Sequence, residues 1–547
     1  MGADGTERLS VLRSRLAGPM PRDGIWGWIW PLVITAIGGF LRFNRLAVPR
    51  AIMFDETYYA KDAWSILQNG VEWCWVNKTE PPGSPSYADR LVNAGNTHFF
   101  AACSYGGHGE YVVQPELGKE LIAIGEAIFG LNSFGWRFMS AVFGTLAILL
   151  ICRIARRMTR STLLGCIAGL LMSLDGLEFV MSRIGILDIF LMFFVLAAFG
   201  AMVIDRDVSR ERLAELVAAG QADGQPNDQS NPSGPRLGIR KWRVAAGICV
   251  GLAIGVKWNG IYYLFGLAIL GTCWDTGARR AAGLRSYIRG TFSRDVIWLP
   301  VTYLLIPVVV YVVTWSDWLF SSTGYDRQYA AQHGIHIPGF DALYSLFEYH
   351  KEAIQFGLGL STRHPYQSQP WDWLLMTRPV AFWYTCYTGP LPGPTHVCPA
   401  TGYTGPQYSQ EVLALGTPAI WWGSILALIA CTGWWLLYRD WRAGAALCGV
   451  IVGWLPWFPL VSRTKFFYYA LEFEPFLILA ITLCLGLIIG QASASLGRRA
   501  IGAGIAGAYL IIVLLMFRYF YPILAGKVIP YSDWYAHMWY TIGKGWI

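Results

Sequence analysis

The residues best suited to chemistry sit in one short run, Ala51-Ile52-Met53-Phe54-Asp55-Glu56-Thr57-Tyr58-Tyr59-Ala60-Lys61-Asp62. Its adjacent carboxylates have two readings. Acidic residues favour the first turn of a helix, so the pair could be a solvated helix start. Alternatively, Asp55 and Glu56 are a catalytic pair. Successive helical residues point about 100° apart, so the two cannot serve one atom alike. One would take a proton while the other orients a substrate. Tyr58 and Tyr59, at i+3 and i+4 from Asp55, are spaced to line the same site.

Cations fall near the ends of apolar runs on the same side. Arg137 lies in SFGWRFMSAVFG, Arg183 in SRIGILD, Lys257 in VKWNG, and Arg463 and Lys465 in SRTKFFYY. A charge in the bilayer costs roughly 2.5–3.5 kcal/mol on insertion scales and usually has a partner. Asp188 could pair with Arg183, and Arg463 and Lys465 could snorkel to the headgroups. As a set these cations point to a phosphate site. His364 opens the aromatic stretch HPYQSQPWDW, which includes Trp371. Such a stretch is either an interface belt or a sugar-stacking surface. No His/Cys cluster reads as a zinc site and no acidic cluster as a Mg²⁺ or Mn²⁺ site, so neither metal nor cofactor is expected.

These residues must be positioned by membrane helices. Of 547 residues 54% are hydrophobic and 14% charged, against roughly 25% charged in soluble proteins. That composition excludes a disordered chain, a coiled coil, a disulfide miniprotein and an ordinary cytosolic enzyme. The net charge of +8 comes mostly from basic residues flanking apolar runs, which speaks against nucleic acid. The predicted class is an all-α polytopic membrane protein with about eleven spans. They lie near 26–46, 133–152, 162–180, 185–204, 244–258, 259–274, 296–316, 418–438, 443–460, 471–490 and 501–522. The stretch 244–274 must cross twice, because the loops on both sides of it are basic; the break falls at Lys257-Trp258-Asn259-Gly260. The positive-inside rule then places residues 1–25 inside as a cytoplasmic tail and the carboxyl end outside.

Two long segments, 47–132 and 317–417, lie outside within the domain 26–522, followed by an outer tail 523–547. Interfacial helices are expected there; Leu343, Leu346, Phe347, His350 and Ile354 recur at helical spacing. The inner segment 205–243 reads as a linker, disordered over its Gly/Pro-rich part 220–235. Four outer cysteines suggest the disulfides Cys74–Cys103 and Cys386–Cys398.

At these motifs the chain resembles the actinobacterial-type protein O-mannosyltransferases, membrane glycosyltransferases that use lipid-phosphate sugars. The resemblance covers nearly the whole chain and rests on FDETYYAKDAW, GWRFMSAVFG, DGLEFVMSRIGILDIFLMFF, GVKWNG, HPYQSQPWDW, RPVAFWY and RTKFFYY in that order. It implies eleven spans and inverting transfer of mannose from polyprenyl phosphate mannose to Ser or Thr of exported proteins at the outer face of the cell membrane. It also implies that Asp55 and Glu56 are the essential acidic pair and Arg137 the required arginine. There is a departure: where the family commonly has His-Pro-Pro, a hydrophobic residue and Lys, this chain reads Gln114-Pro115-Glu116-Leu117-Gly118-Lys119. The segment 317–417 also has no room for the β-rich insertion of eukaryotic members.

The residues suit such a reaction. Asp55 is expected to take the hydroxyl proton and Glu56 to orient the acceptor or the sugar. Arg137, Arg183, Lys257, His364, Arg463 and Lys465 are expected around the donor phosphate and sugar, and Tyr58, Tyr59 and Trp371 along the acceptor and sugar. The secretion translocon enters as a partner by analogy, since acceptors must be reached unfolded. Two rivals share parts of the pattern. One is a related glycosyltransferase acting on a lipid or polysaccharide, which a peptide acceptor assay separates. The other is a transporter, which would need broken helices in matching halves.

Overall fold

The computed structural model describes residues 3–76, 86–222, 231–390, 395–396, 405–491, 493–539 and 546. A helix stands at each of the eleven expected spans. Among the described residues six helices are long and apolar enough to cross a membrane: Trp26–Phe43, Gly135–Thr159, Asp188–Ala219, Tyr287–Val313, Pro418–Tyr438 and Leu496–Leu524. The chain is a multi-pass membrane protein. Helix Asp188–Ala222 is the buried centre, flanked by Gly135–Thr159, Lys241–Val256 and Gly260–Ala281. Membrane helices pack through small residues, and Gly247, Gly251 and Gly255 make such a stripe. A Cβ on Gly247 would lie 2.2 Å from the Thr302 carbonyl oxygen.

Breaks in the helices fall where polar groups are needed. The expected break is present: one helix ends at Val256 and the next starts at Gly260. The expected span 162–180 is interrupted instead, as Thr162–Ser173 and Gly176–Met181. Asp175 caps the second piece through the Leu177 and Glu178 amides at 2.8 and 3.2 Å. Its other oxygen accepts from the Trp421 indole at 2.9 Å.

The expectation of an all-α chain is corrected by a four-stranded antiparallel sheet. β1 is Val380–Tyr387, β2 Thr395–His396, β3 Tyr408–Ala414 and β4 Val528–Pro530, in the order β2-β1-β3-β4. The run VAFWYTCY is β-branched and aromatic, which suits a pleated, half-buried surface. Because β4 comes from the carboxyl tail, that tail and the segment 317–417 share one end of the bundle. Helix Asp341–Gly359 lies nearby, as expected, but its buried face is Leu346, Tyr349 and Ala353. Leu343, Phe347 and Ile354 point outward, because Tyr349 packs on Trp315 and Trp318.

Two cytoplasmic expectations also change. Residues 205–222 continue the central helix rather than a linker. Ser233 and Pro235 are held by Arg279, at 2.9 and 3.2 Å, and the rest of the Gly/Pro stretch at 223–230 lies outside the described residues. Residues 1–25 contain helix Ala3–Leu16, docked on the central helix through Leu16, Leu213 and Val217. Cys74–Cys103 is a disulfide; Cys386 is disulfide-bonded, and Cys398 lies outside the described residues.

Basic residues read as topology signals also do structural work. Arg240 pairs with Asp205 at 2.5 Å and Asp275 at 2.8 Å, and Arg243 with Asp275 at 2.8 Å, all buried or nearly so. These pairs tie the start of helix Lys241–Val256 to the central helix and to Gly260–Ala281. Asp275→Ala leaves Asp205 alone to balance two buried guanidiniums, so the unfolding free energy in detergent is expected to fall by about 3–5 kcal/mol. A change below about 1 kcal/mol would mean that the charges behave as a solvated surface pair.

Candidate active site

Asp55 and Glu56 have separate fates. Helix Glu56–Asn69 begins after Asp55, whose side chain makes no cap hydrogen bond to its own helix. Tyr468 Oη donates to Asp55 Oδ2 at 3.3 Å. The preceding residue, Phe54, has φ +47°, a conformation that is a genuine outlier for a bulky side chain and persists only when its surroundings impose it. Its ring lies 5.1 Å from Phe382, 5.8 Å from Phe466, and 6.0 Å from both His364 and Tyr468. This aromatic cluster holds the strained turn that presents Asp55. Burial raises the Asp55 pKa to about 6; the Lys257 charge and the Tyr468 hydrogen bond oppose the rise, while Asp188 adds to it.

Glu56 is fully buried, and both of its oxygens are engaged. Oε1 accepts from Arg137 Nε at 2.7 Å and the Gly185 amide at 2.8 Å. Oε2 accepts from Arg137 Nη2 at 2.8 Å and the Met53 amide at 2.9 Å. Both oxygens are thus taken by protein donors, where contact with acceptor or sugar was expected. Arg137 is likewise engaged. Its remaining N–H groups reach the Leu46, Pro49 and Ala51 carbonyls at 3.3, 2.8 and 2.8 Å. A guanidinium has five N–H donors, so none is left for a phosphate.

Arg183 is also withdrawn from the phosphate. It is buried and donates to the carbonyls of Leu41, Arg42, Asn44 and Arg45, at 2.6–3.1 Å. These include orphan carbonyls at the end of helix Trp26–Phe43. Asp188 pairs instead with Lys257, at 2.9 and 3.0 Å. Lys257 Nζ also lies 5.1 Å from the centre of the Tyr469 ring.

Lys257, Arg463 and Tyr469 line a mostly apolar chamber of about 820 Å³, with Trp258, His350 and Gln114. A polar cavity of about 200 Å³ adjoins it, lined by Ser361, Arg363, Ser462 and Lys465. Arg463 lines both. Among the described residues only its Nε forms a hydrogen bond, to the Gly357 carbonyl at 3.0 Å, and its guanidinium carbon lies 5.5 Å from the centre of the Trp457 ring. Lys465 is buried and donates to the Leu460 carbonyl. Asp55 does not line the chamber, but it lies within electrostatic reach of Lys257, which does.

The aromatic expectations divide. His364 stands in the Phe54 cluster, 5.1 Å from Phe466, and burial depresses its pKa; it supports the turn at Phe54 rather than a phosphate. Tyr59 is buried within the electrostatic reach of Asp55, which together with burial raises its pKa. Tyr58 is 53% exposed. Trp371 is 51% exposed and faces Phe458. Sequence reading passed over Tyr468 and Arg363. Tyr468 was signalled by the RTKFFYY motif, whereas Arg363 has no signal beyond its position beside His364. Among the described residues, no cluster of three or more His, Cys, Asp or Glu could hold a metal.

Two family models match. One describes the C-terminal four TMM region of protein-O-mannosyltransferase, over residues 342–542. The other describes dolichyl-phosphate-mannose-protein mannosyltransferase, over residues 97–224. A polyprenol-phosphate-mannose–protein mannosyltransferase of Mycobacterium tuberculosis is 37% identical over 533 residues, covering 95% of this chain and 92% of the relative. The chain belongs to the protein O-mannosyltransferase family. A mannosyltransferase of the same name from Corynebacterium glutamicum is 31% identical over 525 residues, covering 94% and 92%. A structure of the Saccharomyces cerevisiae Pmt1-Pmt2 complex bound to the sugar donor shares the fold. Its TM-score is 0.67 at 14% identity, over 99% of this chain and 94% of that one. This chain is therefore a glycosyltransferase, a protein mannosyltransferase by family. At the departure from the usual His-Pro-Pro motif, Gln114 faces the chamber and Lys119 is buried between Glu72 and Glu116.

Glu56→Ala and Arg137→Ala should each cost about 3–5 kcal/mol of stability, and the double variant much less than the sum. Unfolding in detergent checks this. Full additivity would show that the pair does not hold the loop.

Proposed function

We propose that this protein transfers mannose from polyprenyl phosphate mannose to Ser or Thr hydroxyls of exported proteins, at the outer face of the cell membrane. One observation carries the reading: among the described residues Asp55 is a carboxylate without cap or ion pair, within electrostatic reach of Lys257 on the wall of an apolar chamber that Arg463 also lines. The donor names of the mycobacterial and corynebacterial relatives support the same donor. The apolar chamber suits a polyprenyl chain, and its cationic rim suits the phosphate.

The proposed reaction is a single displacement. Asp55 accepts the hydroxyl proton as the oxygen attacks the anomeric carbon. The bond from that carbon to the phosphate oxygen breaks, and polyprenyl phosphate leaves as a monoester carrying one more negative charge. Arg463, whose terminal nitrogens carry no hydrogen bond among the described residues, stabilises that charge without reorganising. Glu56, held by four hydrogen bonds, is no second nucleophile, which supports inversion over a retaining route. The eleven-span reading, with the amino end inside, puts the sheet and Asp55 outside, where acceptors arrive unfolded from the translocon.

Asp55→Asn should lower transfer from lipid-linked mannose to a Ser/Thr peptide by about 10²–10⁴-fold with unchanged thermal stability. Near-normal transfer would remove the base. A base must be unprotonated, so kcat/KM for the native enzyme should fall as pH drops through about 6, the Asp55 value, and level off above it. A profile flat from pH 5 to 8 contradicts the assignment. Arg463→Ala should raise the donor KM by about tenfold or more, the loss of one charge-assisted contact. An unchanged donor KM would exclude phosphate contact.

A further inference from the structure

The start of the loop that presents Asp55 lines a separate cavity of about 700 Å³, bordered by residues 45–51 and by the sheet. Trp383 and Tyr387 of β1 and Gln410 of β3 form its floor. Tyr387 Oη donates to Gln410 Oε1 at 2.8 Å, and Gln410 Nε2 to the Gly526 carbonyl at 2.9 Å, so the floor is rigid. The Trp383 indole N–H is buried with no acceptor among the described residues. Arg45, Arg50 and Lys527 supply three cations, the two arginines exposed. Among the described residues none of the three forms an ion pair; Lys527 Nζ lies 4.9 Å from the centre of the Tyr521 ring. No Asp or Glu lines the cavity, and residues 391–404, which follow Pro390 on its rim, contain none.

We infer that this cavity is a subsite for acidic residues of the acceptor polypeptide. The inference rests on the reading that Asp55 activates an acceptor hydroxyl, and it adds a recognition element to that site. Charge complementarity defines the ligand as an anion. Position defines it as a polypeptide. Ala51 lines the cavity and Asp55 is four residues on, so the two are at most about 14 Å apart along an extended chain. An acceptor strand covers that distance with about four residues. The wall at Val528 belongs to β4, the last strand in the sheet order, whose outer edge suits an extended chain. Aliphatic lining is limited to valine, proline and one alanine, which offers no groove for acyl chains.

The test uses the full-length enzyme in phosphatidylcholine nanodiscs and fluorescent Ser/Thr peptides. The peptides differ only in carrying two Glu, two Gln or two Lys four residues from the acceptor hydroxyl. Anisotropy should show the Glu peptide binding about 3–10-fold tighter than the Gln peptide, the sum of a few exposed charge contacts. The Lys peptide should bind weakest. The Glu-to-Gln ratio should fall to about one in Arg45→Ala/Arg50→Ala/Lys527→Ala and in the single charge reversal Arg50→Glu. Asp55→Asn should keep the native ratio, because binding does not need the base; loss of transfer there, with the ratio intact, separates failure of the base from failure of the subsite. Equal affinities in the native enzyme, or a ratio that survives both substitutions, would overturn the proposal. So would loss of the ratio on replacing phosphatidylcholine by phosphatidylglycerol, since the patch would then belong to lipid.

Discussion

The buried pair of Glu56 and Arg137 is the constraint on which the site depends. Removing two charges from water costs several kcal/mol each unless geometry and further hydrogen bonds compensate. Here compensation is complete. Arg137 uses all five N–H groups, on Glu56 and on three carbonyls between Leu46 and Ala51. Glu56 adds the Met53 and Gly185 amides. One ion pair therefore joins the loop after the first membrane helix, the start of helix Gly135–Thr159 and the turn before the central helix. With residues 46–56 fixed on both sides, Phe54 can be held at positive φ, and Asp55 is aimed by its neighbours rather than by its own contacts.

The same accounting sorts the cations. In a low-dielectric interior a charge with its full set of partners is structural, and one with spare donors is free to meet a ligand. Arg137 is saturated by Glu56 and the carbonyls, and Arg183 is given over to helix-end carbonyls. Arg463 commits one nitrogen and lines two cavities. The least well satisfied of these cations thus stands on the wall where the chamber and the polar cavity meet, which is why it is the one proposed to meet the phosphate.

Much of this was readable from residues alone. Hydropathy located a helix at every expected span, and the basic loops on both sides of 244–274 located the break after Val256. The acidic pair marked the right turn. Which carboxylate is free could not be read there, because the answer comes from Arg137 and Gly185, far along the chain. Asp188 was assigned to Arg183 by proximity in sequence, but helix geometry turns it toward Lys257. The sheet was missed because VAFWYTCY, in so apolar a chain, reads equally well as an interface belt. Its alternating burial becomes visible only once β3 and the distant β4 pair beside it. The helix through 205–222 was missed because its polar residues look like a solvated linker, whereas they are docked on helix Ala3–Leu16 by contacts such as Arg13 with Glu215 at 2.9 Å.

The pairing of Lys257 with Asp188 bears on the chemistry as well as on the fold. A cation bonded directly to a carboxylate lowers its pKa by about 1–3 units, which would make Asp55 a weak base. Lys257 lowers the Asp55 value from a distance, and its own hydrogen bonds go to Asp188. Asp188 in turn raises the Asp55 value. The net charge of that pair near Asp55 is close to zero, so burial dominates and the carboxyl settles near 6. Such a value suits a base working near neutral pH: it is mostly ionised, yet basic enough to receive a proton in the transition state. On the proposal that Asp55 is the base, Asp188 acts on the reaction without touching a substrate, by occupying the lysine that would otherwise quench it.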